Sequence, residues 1–130
     1  MKRIILILLL MVSHNAYSSE CVIAENFKGY IAKKYNNFVF EEDAMTRGKW
    51  VIYINGDKSS VLPESGMTTV IQTAPNSLLA TAVNKNGSTI ETWTVFTKEK
   101  KVLYTKTANW SEGLDGINTF VGDITGKCEQ

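Results

Sequence analysis

Few side chains in this sequence have types and spacings that could do chemistry. Glu91, Glu112, Asp115 and Asp123 are the nameable acids for carboxylate catalysis such as glycoside hydrolysis, which needs two carboxyl groups facing each other across a cleft. Nothing in their spacing selects a pair. The sequence has one histidine, His14, in an apolar N-terminal stretch, so no imidazole is left downstream for a catalytic triad, a zinc site or a haem ligand. No glycine-rich loop opens a helix to cradle phosphate. Asp115-Gly116-Ile117-Asn118 and Glu41-Glu42-Asp43 supply oxygen ligands without the spacing of a calcium loop, and both read as solvated turns. The expectation is therefore no cofactor, no metal, no catalytic residue, and binding rather than catalysis.

Aromatic side chains carry the binding signal. Trp110 falls in the polar segment Ala108 to Gly116, outside the alternating apolar runs, and has two readings. It stacks on a sugar or anchors a protein partner, or it folds down to cap one end of the domain. Tyr104 is the second candidate contact for a ligand or partner. Trp50 and Trp93 lie within apolar runs and read as core.

The two cysteines, Cys21 and Cys128, are explained by the compartment. Lys2 and Arg3 precede an apolar run from Ile4 to Val12, and Ala16-Tyr17-Ser18 offers small residues for cleavage before Ser19. This pattern reads as a signal peptide over residues 1–18, with one domain over 19–130 and export to a periplasm or the cell exterior. The apolar run is well short of the roughly 20 residues that span a bilayer, so no transmembrane segment is expected after cleavage. In an oxidising compartment the two cysteines are expected to pair, tying one end of the mature chain to the other. Without the leader, 12 basic residues face 13 acidic ones. That balance argues against a nucleic-acid partner.

Short runs in which Thr, Val, Ile and aromatic residues alternate with polar ones recur along the chain: Phe27 to Lys33, Asn37 to Glu41, Lys49 to Ile54, Thr68 to Thr73, Leu78 to Val83, Thr89 to Thr97, Val102 to Thr107 and Ile117 to Asp123. The nearest approach to a helix is Asn26 to Tyr35. With Asn86-Gly87 as the centre of a type I′ turn, Val83 faces Ile90 and Leu78 faces Val95. Leu78, Ala80, Ala82, Glu91, Trp93 and Val95 then share the expected core face, with Glu91 at its rim. The next hairpin stays open: a turn centred on Glu99-Lys100 puts Trp93 and Tyr104 on one face, and a loop of Lys98 to Lys100 puts them on opposite faces.

The pattern predicts an all-β fold, a single antiparallel meander of about eight strands in a closed barrel or a sandwich, with its termini joined by a disulfide. Gly48-Lys49-Trp50 resembles the Gly-x-Trp that opens the first barrel strand of lipocalins and related ligand-carrying barrels. The likeness covers three residues and implies a small barrel, without assigning a ligand or a site. The functional expectation is a protein-binding module, acting in inhibition or envelope interaction. The alternative is a barrel that carries a small molecule or a glycan, and the degree to which the interior is filled separates the two.

Overall fold

β-Branched and aromatic side chains lose little freedom on a pleated surface, and their alternation sets which side of a strand meets the core. The computed structural model describes residues 18–64, 66–110 and 115–129; the apolar leader and Glu112 lie outside them. Among the described residues nine strands form: β1 (Glu20–Lys33), β2 (Phe40–Ala44), β3 (Trp50–Ile54), β4 (Ser60–Leu62), β5 (Thr69–Ala74), β6 (Ser77–Asn84), β7 (Gly87–Phe96), β8 (Lys101–Trp110) and β9 (Gly116–Lys127). Eight follow one antiparallel path, β4-β3-β1-β9-β8-β7-β6-β5, and β2 pairs with β1 beside β3. The path rolls into a nearly closed barrel of eight strands. Its seam lies between β4 and β5, where the backbone N–H of Gly56 donates to Gln72 Oε1 at 2.6 Å.

The first and last strands are neighbours, paired from Val22↔Lys127 to Lys33↔Gly116. This brings Cys21 and Cys128 together, and they form the disulfide with Cα atoms 5.3 Å apart. Among the described residues no helix is long and apolar enough to cross a membrane.

The structure corrects the sequence reading in four places. Phe27 to Lys33 is strand, as its alternation suggests, but β1 starts seven residues earlier, at Glu20. Asn26 adopts φ 58°, a left-handed conformation that asparagine tolerates, and an irregularity between Glu25 and Lys28 flips the parity of the strand. Val22 and Ala24 point inward before it, Phe27 and Ile31 after it. β4 is an unforeseen ninth strand, too short to display a period. The β6–β7 turn is centred on Lys85-Asn86, so Val83 faces Ser88 and Leu78 faces Trp93. Gly87 opens β7 opposite Asn84, at a position where a Cβ would lie 2.0 Å from the backbone oxygen of Asn109. The shift is two residues, so the predicted core face survives and all six of its residues are buried. Glu91 is the fourth correction, since it is 1% exposed rather than at a rim.

A four-residue connection after β7 sets Trp93 directly opposite Tyr104. Five aromatic rings then fill the middle of the barrel. Trp93 lies 4.3 Å from Tyr104, 5.2 Å from Trp50 and 5.9 Å, edge-on, from Phe27, while Phe120 stacks on Tyr104 at 6.1 Å.

Candidate functional site

Two regions carry polar or apolar groups beyond what folding needs. The first is an arm at one end of the barrel. Tyr35, Phe38, Val39 and Phe40 are each more than half exposed, and Tyr30, diagonal to Phe40 across the β1–β2 pair, is 50% exposed. A cluster of large exposed apolar side chains is unusual on a soluble surface. Asn37 (φ 59°) and Phe38 (φ 58°) both take the left-handed conformation, which is costly for a bulky residue such as Phe38. The tip is held by backbone bonds from Phe38 N–H to Lys33 O (2.8 Å) and from Asn37 N–H to Lys34 O (3.1 Å). Its base is tied to the barrel by Lys34, whose N–H donates to Asp115 O and whose ammonium lies 3.6 Å from the Asp115 carboxylate. The arm is thus presented as a fixed shape.

β2, its second limb, is exposed at every residue and, among the described residues, pairs with β1 alone. It carries Glu41, Glu42 and Asp43, none of which is in an ion pair among the described residues. A shallow groove of about 550 Å³ runs beside it, lined by Lys28, Tyr30, Glu42 and Asp43.

The second region is a polar layer inside the barrel. Glu91 on β7 accepts the Tyr104 hydroxyl at 3.0 Å and the Trp93 indole N–H at 3.4 Å, with the Lys106 ammonium 3.8 Å away. Burial, and then the charge and hydrogen bond of Glu91, push the Tyr104 hydroxyl pKa well above its ordinary value. Lys33 donates to Asn118 Oδ1, and burial together with the nearby Lys106 lowers its pKa against the opposing pull of Asp43. Trp50 is 5% exposed, and its indole N–H has no hydrogen-bond partner among the described residues.

The remaining sequence candidates are dispersed. Tyr104 is inside the barrel rather than on a surface. Trp110 is half-buried, its indole N–H donating to Thr89 Oγ1 at 2.7 Å and its backbone N–H to the Asp115 carboxylate. Asp115 is held by Trp110 and Lys34, and Asp123 by Lys101 and Asn26, so neither is drawn to Glu91. The sequence reading passed over the arm. Its visible sign is Phe38-Val39-Phe40, three apolar residues in succession directly before three acids, which breaks the alternation of a half-buried strand.

Compared with known proteins, the chain matches no family model, no curated protein and no solved structure.

Proposed function

We propose that this protein is an exported recognition module that takes an extended, basic polypeptide segment as an added strand along β2. The observation that carries the reading is the arm: exposed aromatic side chains, preset by hydrogen bonds, beside an acidic strand that pairs on one side only. A strand paired on one side only supplies a row of backbone donors and acceptors along its other edge, so strand addition gives affinity through the main chain and specificity through flanking side chains. The acids select the partner's charge. A second copy is disfavoured as occupant, because an antiparallel β2–β2 pairing would oppose Glu41, Glu42 and Asp43 to the same acids. The aromatic filling of the barrel agrees with recognition at the surface. Export is supported by the signal-like leader and by the Cys21–Cys128 disulfide.

The test is fluorescence anisotropy with a short peptide of alternating Lys and Val, and with its Glu/Val counterpart, against the oxidised mature protein. The basic peptide is expected to bind, to weaken with salt, and to be lost in the double variant Glu41→Lys, Glu42→Lys and in Phe38→Ser, each checked for native circular dichroism. Equal binding of both peptides, or undiminished binding by the charge-reversed variant, would overturn the reading.

A further inference from the structure

We infer that the opening beyond the end of β2 is a carboxylate site that receives the C-terminus of the added segment, so that the partner is a polypeptide tail ending in lysine or arginine. The tail rests on the strand-addition reading, whereas the carboxylate site stands on groups of its own. β2 ends at Ala44, and the chain that follows it, from Met45 to Arg47, forms one wall of an opening of about 430 Å³. Trp50, Lys106 and Asn118 line it from the barrel, and the exposed Glu64 borders it. The groove beside β2 and this opening share Asp43 and Ala44, so a strand laid along β2 leads from one into the other.

The opening gathers donors that the fold leaves unmet. The Trp50 indole N–H is buried without a hydrogen-bond partner among the described residues, and such a donor costs free energy until an acceptor reaches it. The unbranched side chains of Met45 and Arg47, which line the same opening, can move to admit one. Arg47 is exposed and makes no ion pair among the described residues. Lys33 donates to Asn118 Oδ1, and since an ammonium only donates, the amide oxygen faces Lys33 and the amide NH₂ is left to donate elsewhere. A guanidinium, an indole N–H and an amide NH₂ around one space suit an acceptor-rich group, and a carboxylate meets a guanidinium through two parallel hydrogen bonds.

Charge sets the rest of the ligand. Arg47 and Lys106 line the opening against Asp43 and Glu64. Behind them, Lys33 holds Asn118, and the buried Glu91 carboxylate lies 3.8 Å from the Lys106 ammonium. Three cations stand against three carboxylates, so a bare anion gains nothing from the net field. A C-terminal lysine or arginine carries one charge of each sign and matches this balance. Its carboxylate goes to Arg47 and Trp50 and its side chain to Asp43 or Glu64, with Glu91 left in its existing contacts. The volume lies within the roughly 300–1,000 Å³ of small-ligand sites, room for one residue. A segment that delivers its C-terminus here runs parallel to β2, and its earlier basic side chains pass Glu41 and Glu42.

Two sets of probes are applied to the oxidised mature protein. Nα-acetyl-lysine, its methylamide and butyrate are too short to pair along β2, and are followed by the Trp50 indole N–H signal in proton–nitrogen correlation spectra. A saturable shift with acetyl-lysine is expected, at least roughly tenfold weaker with the methylamide and with butyrate, and lost in Arg47→Gln of native circular dichroism. The alternating Lys and Val peptide, ending in Lys, is then compared by anisotropy with its C-terminally amidated form. The free acid should bind at least roughly tenfold tighter, and Arg47→Gln should bring the two forms to equal affinity. Equal affinity of the two forms in a wild type that still requires Glu41 and Glu42, or no saturable shift at tens of millimolar acetyl-lysine, would overturn the carboxylate site alone. Butyrate binding as well as acetyl-lysine would overturn the basic C-terminal residue. Acetyl-lysine shifts that persist while neither peptide responds to reversal of Glu41 and Glu42 would instead overturn delivery along β2, and with it the strand-addition reading.

Discussion

Replacing Tyr104 with Phe tests whether the buried Glu91 network is a real energetic unit. The substitution keeps the ring that packs on Trp93 and Phe120 and deletes only the hydroxyl that donates to Glu91 at 3.0 Å. A buried hydrogen bond to a charged group contributes about 1.5–3 kcal/mol, so the variant should lose about 2 kcal/mol at neutral pH. With a urea m-value of about 2 kcal/mol/M, the unfolding midpoint falls by about 1 M at unchanged slope. Alkaline pH adds a second signature. The native state holds the Tyr104 pKa above its ordinary value of 10.0, whereas the unfolded chain ionises there. The raised pKa therefore gives stability that is complete below pH 10 and lost as pH rises beyond it. Each further pH unit removes about 1.4 kcal/mol from the wild type and none of this part from the variant, so the 2 kcal/mol gap should shrink to about 0.6 near pH 11. The two proteins share every other residue, so the difference isolates the Tyr104 hydroxyl. Urea unfolding of the two proteins across this range is the assay. A gap that stays constant through alkaline pH, or a neutral-pH loss under about 0.5 kcal/mol, would refute the reasoning.

Three further outcomes follow from other contacts. Gly122→Ala would set a Cβ 2.6 Å from the ring of the fully buried Phe27, and thermal unfolding should show a loss of about 1–3 kcal/mol, partly recovered in a double variant with Phe27→Leu. The double variant Cys21→Ser, Cys128→Ser opens a loop closed across 107 residues, and should lose about 4 to 5 kcal/mol by denaturant unfolding, with reduced wild type behaving alike. The Asp123 carboxyl should titrate below the usual carboxylate range, held there first by the Lys101 hydrogen bond and then by Asn26. Its lowered pKa gives stability present at neutral pH and lost in acid; an NMR titration should show Lys101→Met moving the pKa back toward its ordinary value.

The strands were legible because their information is local. Alternating apolar and polar residues from Leu78 to Val83 and from Thr89 to Thr97 mark both the strands and their buried face. That face was robust even to a misplaced turn, since the register moved by two residues and parity was kept. Where parity changed, the reading failed: Asn26 breaks the alternation of β1, and nothing in the pattern before it announces the break.

What the sequence alone determined was the all-β class and the meander, together with the link between the chain ends. These depend on side-chain period, on turn residues and on the oxidative pairing of two cysteines. Tertiary structure decided the sites. Glu91 reads as a rim acid along its own strand, and only the opposite strand, bringing Tyr104 and Lys106 to its carboxylate, makes its burial tolerable. The arm reads as an ordinary strand until β2 is found to pair with β1 alone, leaving Phe40 and the acids that follow it in solvent. Period is a property of neighbours along the chain, whereas burial and edge exposure depend on which distant strand occupies the adjacent position, and that is set only when the barrel closes.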